Sequence, residues 1–309
     1  MTYQAKDFVQ VGADLLFAVV MDGLEQRKVL CFLRYVCENG KWQKVDTEQA
    51  NTFLSEHYPE YLHYSQILDA HLHAIDADLI SRHFQTKVVL RQLINSEATD
   101  PVIQDLQMLC GLLQSNHLPL EQLGITGSIL VGMQTHTSDI DLVCYDRASF
   151  QQARNVIQFL ISKDLCQTLN DDDWLTAYQR RACDFALDDY IWHELRKYNK
   201  AIFNQRKFDL SLVLPPVAKD GRYFRKVGFV RIQAEVIEDM QAFDYPALFG
   251  INHPEISQVV CFTATYTGQA RKGELIDVAG QLEMDQHGLQ RIVVGSNREA
   301  LGEFIRVVR

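Results

Sequence analysis

Gly127-Ser128, followed after the ten-residue loop 129–138 by Asp139-Ile140-Asp141-Leu142-Val143, decides how this chain is read. Side chains on a β-strand repeat every two residues, so Asp139 and Asp141 leave the same face, about 6–7 Å apart along the strand. Two carboxylates so placed can converge on shared cations. The intervening aliphatics, Ile140, Leu142 and Val143, form the short apolar run that carries them.

Composition narrows what surrounds this stretch. The chain has 309 residues, 47% of them hydrophobic, enough to bury one large core or several smaller ones. No apolar run approaches the roughly 20 residues that span a bilayer, and Met1 to Asp7 lacks a basic and then apolar leader. We therefore expect no membrane partner and a cytoplasmic location. Seven cysteines, irregularly spaced and without a Cys-x-x-Cys, read as buried thiols in a reducing compartment. The formal charge of −10 argues against a protein that coats nucleic acid, because such binding relies on Lys and Arg displacing phosphate counterions.

On the N-terminal side, Leu15–Val20, Val29–Val36 and Lys41–Val45 read as a β-meander with turns at Asp22-Gly23 and Asn39-Gly40. Helices are expected from Thr47, over Asp76 to Ile94, and from Pro101 to Leu113, where Val102, Leu106, Leu109, Leu112 and Leu113 form an apolar stripe. On the C-terminal side, Phe150–Ile161 and Trp174–Ile202 are helical by period, and Phe208–Leu214 is a strand closed by Pro215-Pro216. From Val227 the pattern alternates, with Val230, Ile232, Ala234 and Val236 on one face. Further strands at 257–267, 274–283 and 290–295 suggest a β-domain or barrel. The expected fold class is α+β in three regions: an N-terminal β-meander with helices (1–119), a central mixed-sheet core (120–216) and a mostly-β C-terminal domain (217–309).

Gly127-Ser128 with Asp139-Ile140-Asp141 resembles the nucleotidyltransferase superfamily built on the polymerase-beta-type palm. Its pattern is a Gly-Ser turn, an Asp-x-Asp and a later acid, for which Asp209, on its own apolar strand, is the candidate. The wider layout is similar to a group of predicted nucleotidyltransferases best known from archaea. The resemblance implies a nucleotidyltransferase-like core and a magnesium-dependent transfer of a nucleoside monophosphate from a triphosphate such as ATP to an acceptor hydroxyl, with pyrophosphate released. The acceptor, a small molecule, a protein or RNA, is left open. Asp139 and Asp141 would share the metal ions, magnesium or alternatively manganese, and Asp209 would hold the ion that activates the attacking hydroxyl. The competing reading of Asp209 is a strand end paired on the surface with Arg206 or Lys207.

Two further features fit a phosphate-bearing substrate. If Ser128 opens a short helix, its free N–H groups face the phosphates and Gly127 permits close approach; an ordinary turn with a Ser cap is the alternative. Arg196, Lys197, Lys200, Arg206 and Lys207 form a basic cluster without an acid between them. Arg206 and Lys207 are the members placed to reach phosphate, although a solvated helix end accounts for the same cluster.

Rival sites are weaker. Asp69-Ala70-His71-Leu72-His73-Ala74-Ile75-Asp76 lacks the three or four convergent ligands that zinc needs. Asp171-Asp172-Asp173 suits a helix N-terminus. The main functional alternative is a catalytically inactive nucleotidyltransferase-like module that binds a nucleotide or regulates a partner. A third, an RNA-associated scaffold using the C-terminal β-domain, has little charge to support it.

Overall fold

The computed structural model describes residues 2–66, 68, 70–181, 183, 185–215, 222–296 and 300–309. Met1, Asp69 of the His71/His73 segment, Pro216 and the 216/217 boundary fall outside the described residues. The protein is a mixed α+β chain with three sheets, and seven α-helices lie among the described residues. No helix there is long and apolar enough to cross a membrane. Two compact units form, one from Met1–Val156 with Ile202–Pro216, the other from Ile157–Ala201 with Val217–Arg309. The N-terminal meander thus belongs to one unit with the acidic strand.

In the first unit, β1 (Phe8–Val11), β2 (Leu15–Val19), β3 (Lys28–Glu38) and β4 (Lys41–Lys44) make the expected meander, with β1 as an extra strand at its start. Asn39 and Gly40 take φ of 51° and 75°, the positive values that a tight hairpin between twisted strands requires. Helix α1 (Thr47–His57) starts from an Asp46–Gln49 capping box, in which two otherwise unpaired N–H groups are satisfied reciprocally. Then β5 (Leu62–Ser65), β6 (Ala70–Asp76) and β7 (Ile80–Phe84) complete a seven-stranded sheet of order β5-β6-β3-β2-β1-β7, with β4 on β3.

The helix expected over Asp76 to Ile94 is therefore corrected in its first half. Ile80 and Phe84 sit four apart, as on a helix face, but β7 pairs with β1, placing Phe84 opposite Phe8. A non-local pairing outweighs a short local pattern. Only α2 (Thr86–Ile94) is helical there. His73, in β6, is buried, accepts from the Leu33 N–H at 2.9 Å and meets Asn51 Oδ1 at 2.9 Å. Burial lowers its pKa to about 4.

Helix α3 (Pro101–Ser115) has Pro101 in its first turn and Asp100 as its cap, and buries Val102, Leu106, Leu109 and Leu113. These four belong to the expected stripe, whereas its fifth member, Leu112, is only half-buried. After it come β8 (Leu123–Ile125), the single turn α4 (Gly127–Leu130), β9 (Ile140–Cys144), α5 (Arg147–Ser162), α6 (Asp171–Arg181) and α7 (Leu187–Leu195). Next are β10 (Lys200–Phe203) and β11 (Arg206–Leu212), which join a four-stranded sheet of order β10-β11-β9-β8. The long helix expected over Trp174 to Ile202 is thus two helices and a strand. Positive φ at Tyr198, Asn204 and Gln205 turns the chain where continuous helix is sterically unavailable.

In the second unit, β12 (Phe224–Glu238), β13 (Ala247–Asn252), β14 (Ile256–Cys261), β15 (Leu275–Asp285), β16 (Gln290–Val294) and β17 (Phe304–Val307) form one sheet. Its order is β12-β13-β14-β16-β15-β17, and β12 also pairs with β15, closing a five-stranded ring. Ala234 and Val236 are buried while Gln233 and Glu235 are exposed, the alternation read from the sequence. Trp174 and Tyr190 of α6 and α7 share a buried cluster with Val236, Phe249 and Val278. The aspartates 171–173 occupy the first turn of α6, where acids complement the helix dipole.

Candidate active site

Strands β9 and β11 run parallel in register, setting Asp209 beside Asp141, with Phe208 beside Ile140 and Leu210 beside Leu142. Ile140, Leu142, Phe208 and Leu210 are buried on the opposite face. That alternation turns both acids toward the same open side. Paired Cα atoms on neighbouring strands stand about 4.8 Å apart, so the two carboxylates share one patch of surface. Asp139, just before β9 and two residues from Asp141, falls on that side too. Burial first, and then Asp209 and Asp139, push the Asp141 carboxyl up to about 6, against the opposing pull of Lys6 and Lys44. An all-oxygen, negatively crowded donor set of this kind suits a hard divalent cation. Among the described residues, no group of three or more His, Cys, Asp or Glu side chains is placed to hold a metal ion.

Gly127 begins α4 with φ +68°, and a Cβ there would lie 2.3 Å from Asp141 Oδ2. The turn is therefore glycine for two reasons, its left-handed backbone and the carboxylate against it. The Thr126 N–H donates to the Asp141 carbonyl at 2.9 Å, which ties the turn to the strand. Ser128 is the second residue of this short helix, which Gly127 opens after Thr126 as its N-cap. Its hydroxyl lies 3.2 Å from the Ser138 hydroxyl, which in turn accepts from the Thr135 N–H at 2.9 Å.

Arg206 acts on the same loop from β11. Its Nε donates to Asp105 Oδ2 at 2.8 Å, and its Nη1 donates to the carbonyls of His136 at 3.0 Å and Ser138 at 2.8 Å. With its side chain 11% exposed, it holds the segment that delivers Asp139. Lys207 projects toward the Asp209 side of β11 by strand alternation. The rest of the expected basic cluster lies in the second unit. There Lys197 is buried and donates to Glu194 Oε1 at 2.6 Å, Lys200 also pairs with Glu194, and Arg196 pairs with Glu274. The two lysines hold the Glu194 carboxyl at about 2, overcoming the burial that would raise it.

The pocket in front of the carboxylates has a volume of about 340 Å³ and is lined by Asp139, Asp141, Gly127, Ser128, Thr137 and Ser138 together with Phe8, Arg34, Tyr35 and Lys44. The last four come from the N-terminal sheet, and sequence reasoning did not connect them to the acids. Two hydrogen bonds knit that sheet to the core: the Thr126 hydroxyl to the Lys6 carbonyl at 2.8 Å and the Tyr145 hydroxyl to the Ala5 carbonyl at 3.0 Å. Burial pushes the Tyr35 phenol up; Arg34 opposes the shift, and Asp141 adds to it. Arg34 and Lys44 carry no motif, so only their proximity in space reveals them.

The first unit thus joins, on an α+β frame, a pocket lined by Asp139 and Asp141, a Gly-Ser turn and basic residues, with Asp209 beside Asp141 on the neighbouring strand. The chain belongs to one family with the uncharacterized protein MJ1086 of Methanocaldococcus jannaschii, to which it is 31% identical over the full length of both chains. No family model matches the chain. No solved structure matches it either.

Proposed function

We propose that the protein is a magnesium-dependent nucleotidyltransferase that moves a nucleoside monophosphate from a nucleoside triphosphate to an acceptor hydroxyl and releases pyrophosphate. The observation that carries this reading is the in-register placement of Asp209 beside Asp141, with Asp139 on the same side.

Asp139, Asp141 and Asp209 would hold the metal. When bound, magnesium stabilises both the attacking and the leaving oxygen of an in-line displacement at phosphorus. Each remaining role falls to the chain itself. Gly127 lets the backbone approach the substrate closely, and Ser128 contributes its hydroxyl and the first N–H groups of the turn. Arg206 keeps Asp139 in place by holding the carbonyls of His136 and Ser138. Asp209, exposed on β11 beside Asp141, would orient the acceptor hydroxyl and accept its proton.

The test is pyrophosphate release with each nucleoside triphosphate and magnesium or manganese, alone and with cell extract, combined with a search for acceptors of increased mass. A protein that binds triphosphate but releases no pyrophosphate under any of these conditions is instead an inactive, nucleotide-binding module.

A further inference from the structure

The pairing of β2 with β3 places Leu16 opposite Tyr35 and Phe17 opposite Leu33, so Arg34 is an extra residue with no counterpart on β2. This is a β-bulge, a device that redirects a side chain out of the regular alternation. Here it brings Arg34 into the carboxylate pocket together with its neighbour Tyr35. Lys44 arrives from the next strand, directly opposite Tyr35 in the β3–β4 register. Among the described residues, neither the Arg34 nor the Lys44 side chain forms a hydrogen bond or ion pair. Arg34 is half-buried and Lys44 exposed. Two cations without a hydrogen-bonded or ion-paired partner among the described residues thus stand in one pocket with Asp139 and Asp141.

We propose that Arg34 and Lys44 form a phosphate subsite, in which the N-terminal sheet holds the anionic phosphates of a ligand whose reacting end lies at Asp139 and Asp141. The proposal rests on the nucleotidyl-transfer reading of those acids and adds the contacts that reading lacks, since Arg206 is committed to Asp105 and the loop carbonyls. A guanidinium presents two parallel donors to a phosphate, and an ammonium adds a point charge beside it. This explains why a meander far from the motif in sequence is built into the same unit. The ligand's phosphates belong either to the triphosphate tail of a donor or to a phosphate carried by the acceptor.

The experiment titrates inorganic tripolyphosphate into the full-length protein by calorimetry in the presence of EDTA, in both the wild type and an Asp141→Asn background that relieves repulsion. Arg34→Ala and Lys44→Ala are each expected to weaken binding about tenfold, the loss of one charge-assisted contact. Asp141→Asn alone is expected to tighten it. Thermal unfolding of each variant accompanies the titration, and Lys44→Ala, an exposed position, carries the test if Arg34→Ala fails to fold. Unchanged affinity in the folded variants, or no tripolyphosphate binding in either background, overturns the subsite. Parallel titrations with ATP and AMP separate the two sources: a loss confined to ATP assigns the subsite to the donor's tail, and an equal loss for both assigns it to a ligand's single phosphate. Because these titrations contain no metal and no turnover, a failed pyrophosphate assay would leave their result standing.

Discussion

Asp209 lies directly beside Asp141 across the parallel pair β11 and β9, so two acids far apart in the chain occupy one spot on the sheet's open side. Their mutual repulsion, added to burial, is what lifts the Asp141 carboxyl toward neutrality. The arrangement costs the metal-free fold stability, and sites that do so are commonly retained for function.

Relieving that repulsion gives the first prediction. Asp141→Asn should stabilise the protein by about 1–3 kcal/mol at pH 7 in EDTA, the scale of the upward shift it removes. Denaturant unfolding monitored by circular dichroism measures it. A destabilised variant would mean that the carboxylate is held by favourable contacts instead.

At Gly127, alanine should be poorly tolerated. Its Cβ would fall 2.3 Å from Asp141 Oδ2 at a φ of +68°, so the carboxylate must swing away and the turn is strained. We expect a stability loss of about 1–2 kcal/mol together with at least a tenfold fall in pyrophosphate release. The combination separates this turn from an ordinary surface glycine, where only stability would change.

Arg206→Ala should free the loop that carries Asp139. Three hydrogen bonds go with it, and a cost of about 2–4 kcal/mol is expected because Asp105 and two carbonyls lose a charged donor. Arg206→Lys cannot reproduce the fork and should recover only part. Magnesium affinity, read by calorimetry, should fall in parallel while tripolyphosphate binding stays near wild type.

Two buried histidines should draw stability down in acid, against the smaller gain from protonating the single Asp141 carboxyl, whose pKa is raised to about 6. His73 in the first unit and His193 in the second both have pKa values lowered to about 4, chiefly by burial. The neutral ring of His193 accepts from the Val307 N–H at 3.0 Å while its Nδ1 lies 2.6 Å from the Asp189 carbonyl. Unfolded histidine binds its proton near 6.5 and the folded one only near 4, so the unfolded chain carries more protons between these values. Their contribution is therefore complete above pH 6.5 and is lost as pH falls toward 4. Urea midpoints at pH 7, 5.5 and 4.5 should decline, and the decline should be shallower in His73→Gln and His193→Gln.

Several of these relationships could be read from the sequence because they are local. Asn39-Gly40 announces its hairpin, and the apolar-polar alternation from Val230 to Val236 announces its strand. The spacing of Asp139 and Asp141 on an apolar run announces a shared face. What stayed hidden depends on pairing between distant segments. Ile80 and Phe84 match helical spacing until β1 claims them. The basic residues from Arg196 to Lys207 look like one cluster until Glu194 and Glu274 take three of them and Asp105 takes Arg206. Arg34 enters the pocket through a register shift between β2 and β3, a feature with no sequence signature at Arg34 itself.

Pyrophosphate release by wild type, Asp139→Asn and Asp141→Asn with magnesium and each nucleoside triphosphate is the deciding measurement for a role of these acids in nucleotidyl transfer. The two carboxylates, acting as metal ligands, predict release by the wild type and a fall of at least a hundredfold in each variant, both remaining folded. Release that persists at the wild-type rate in either folded variant would contradict the assignment of those acids to the reaction.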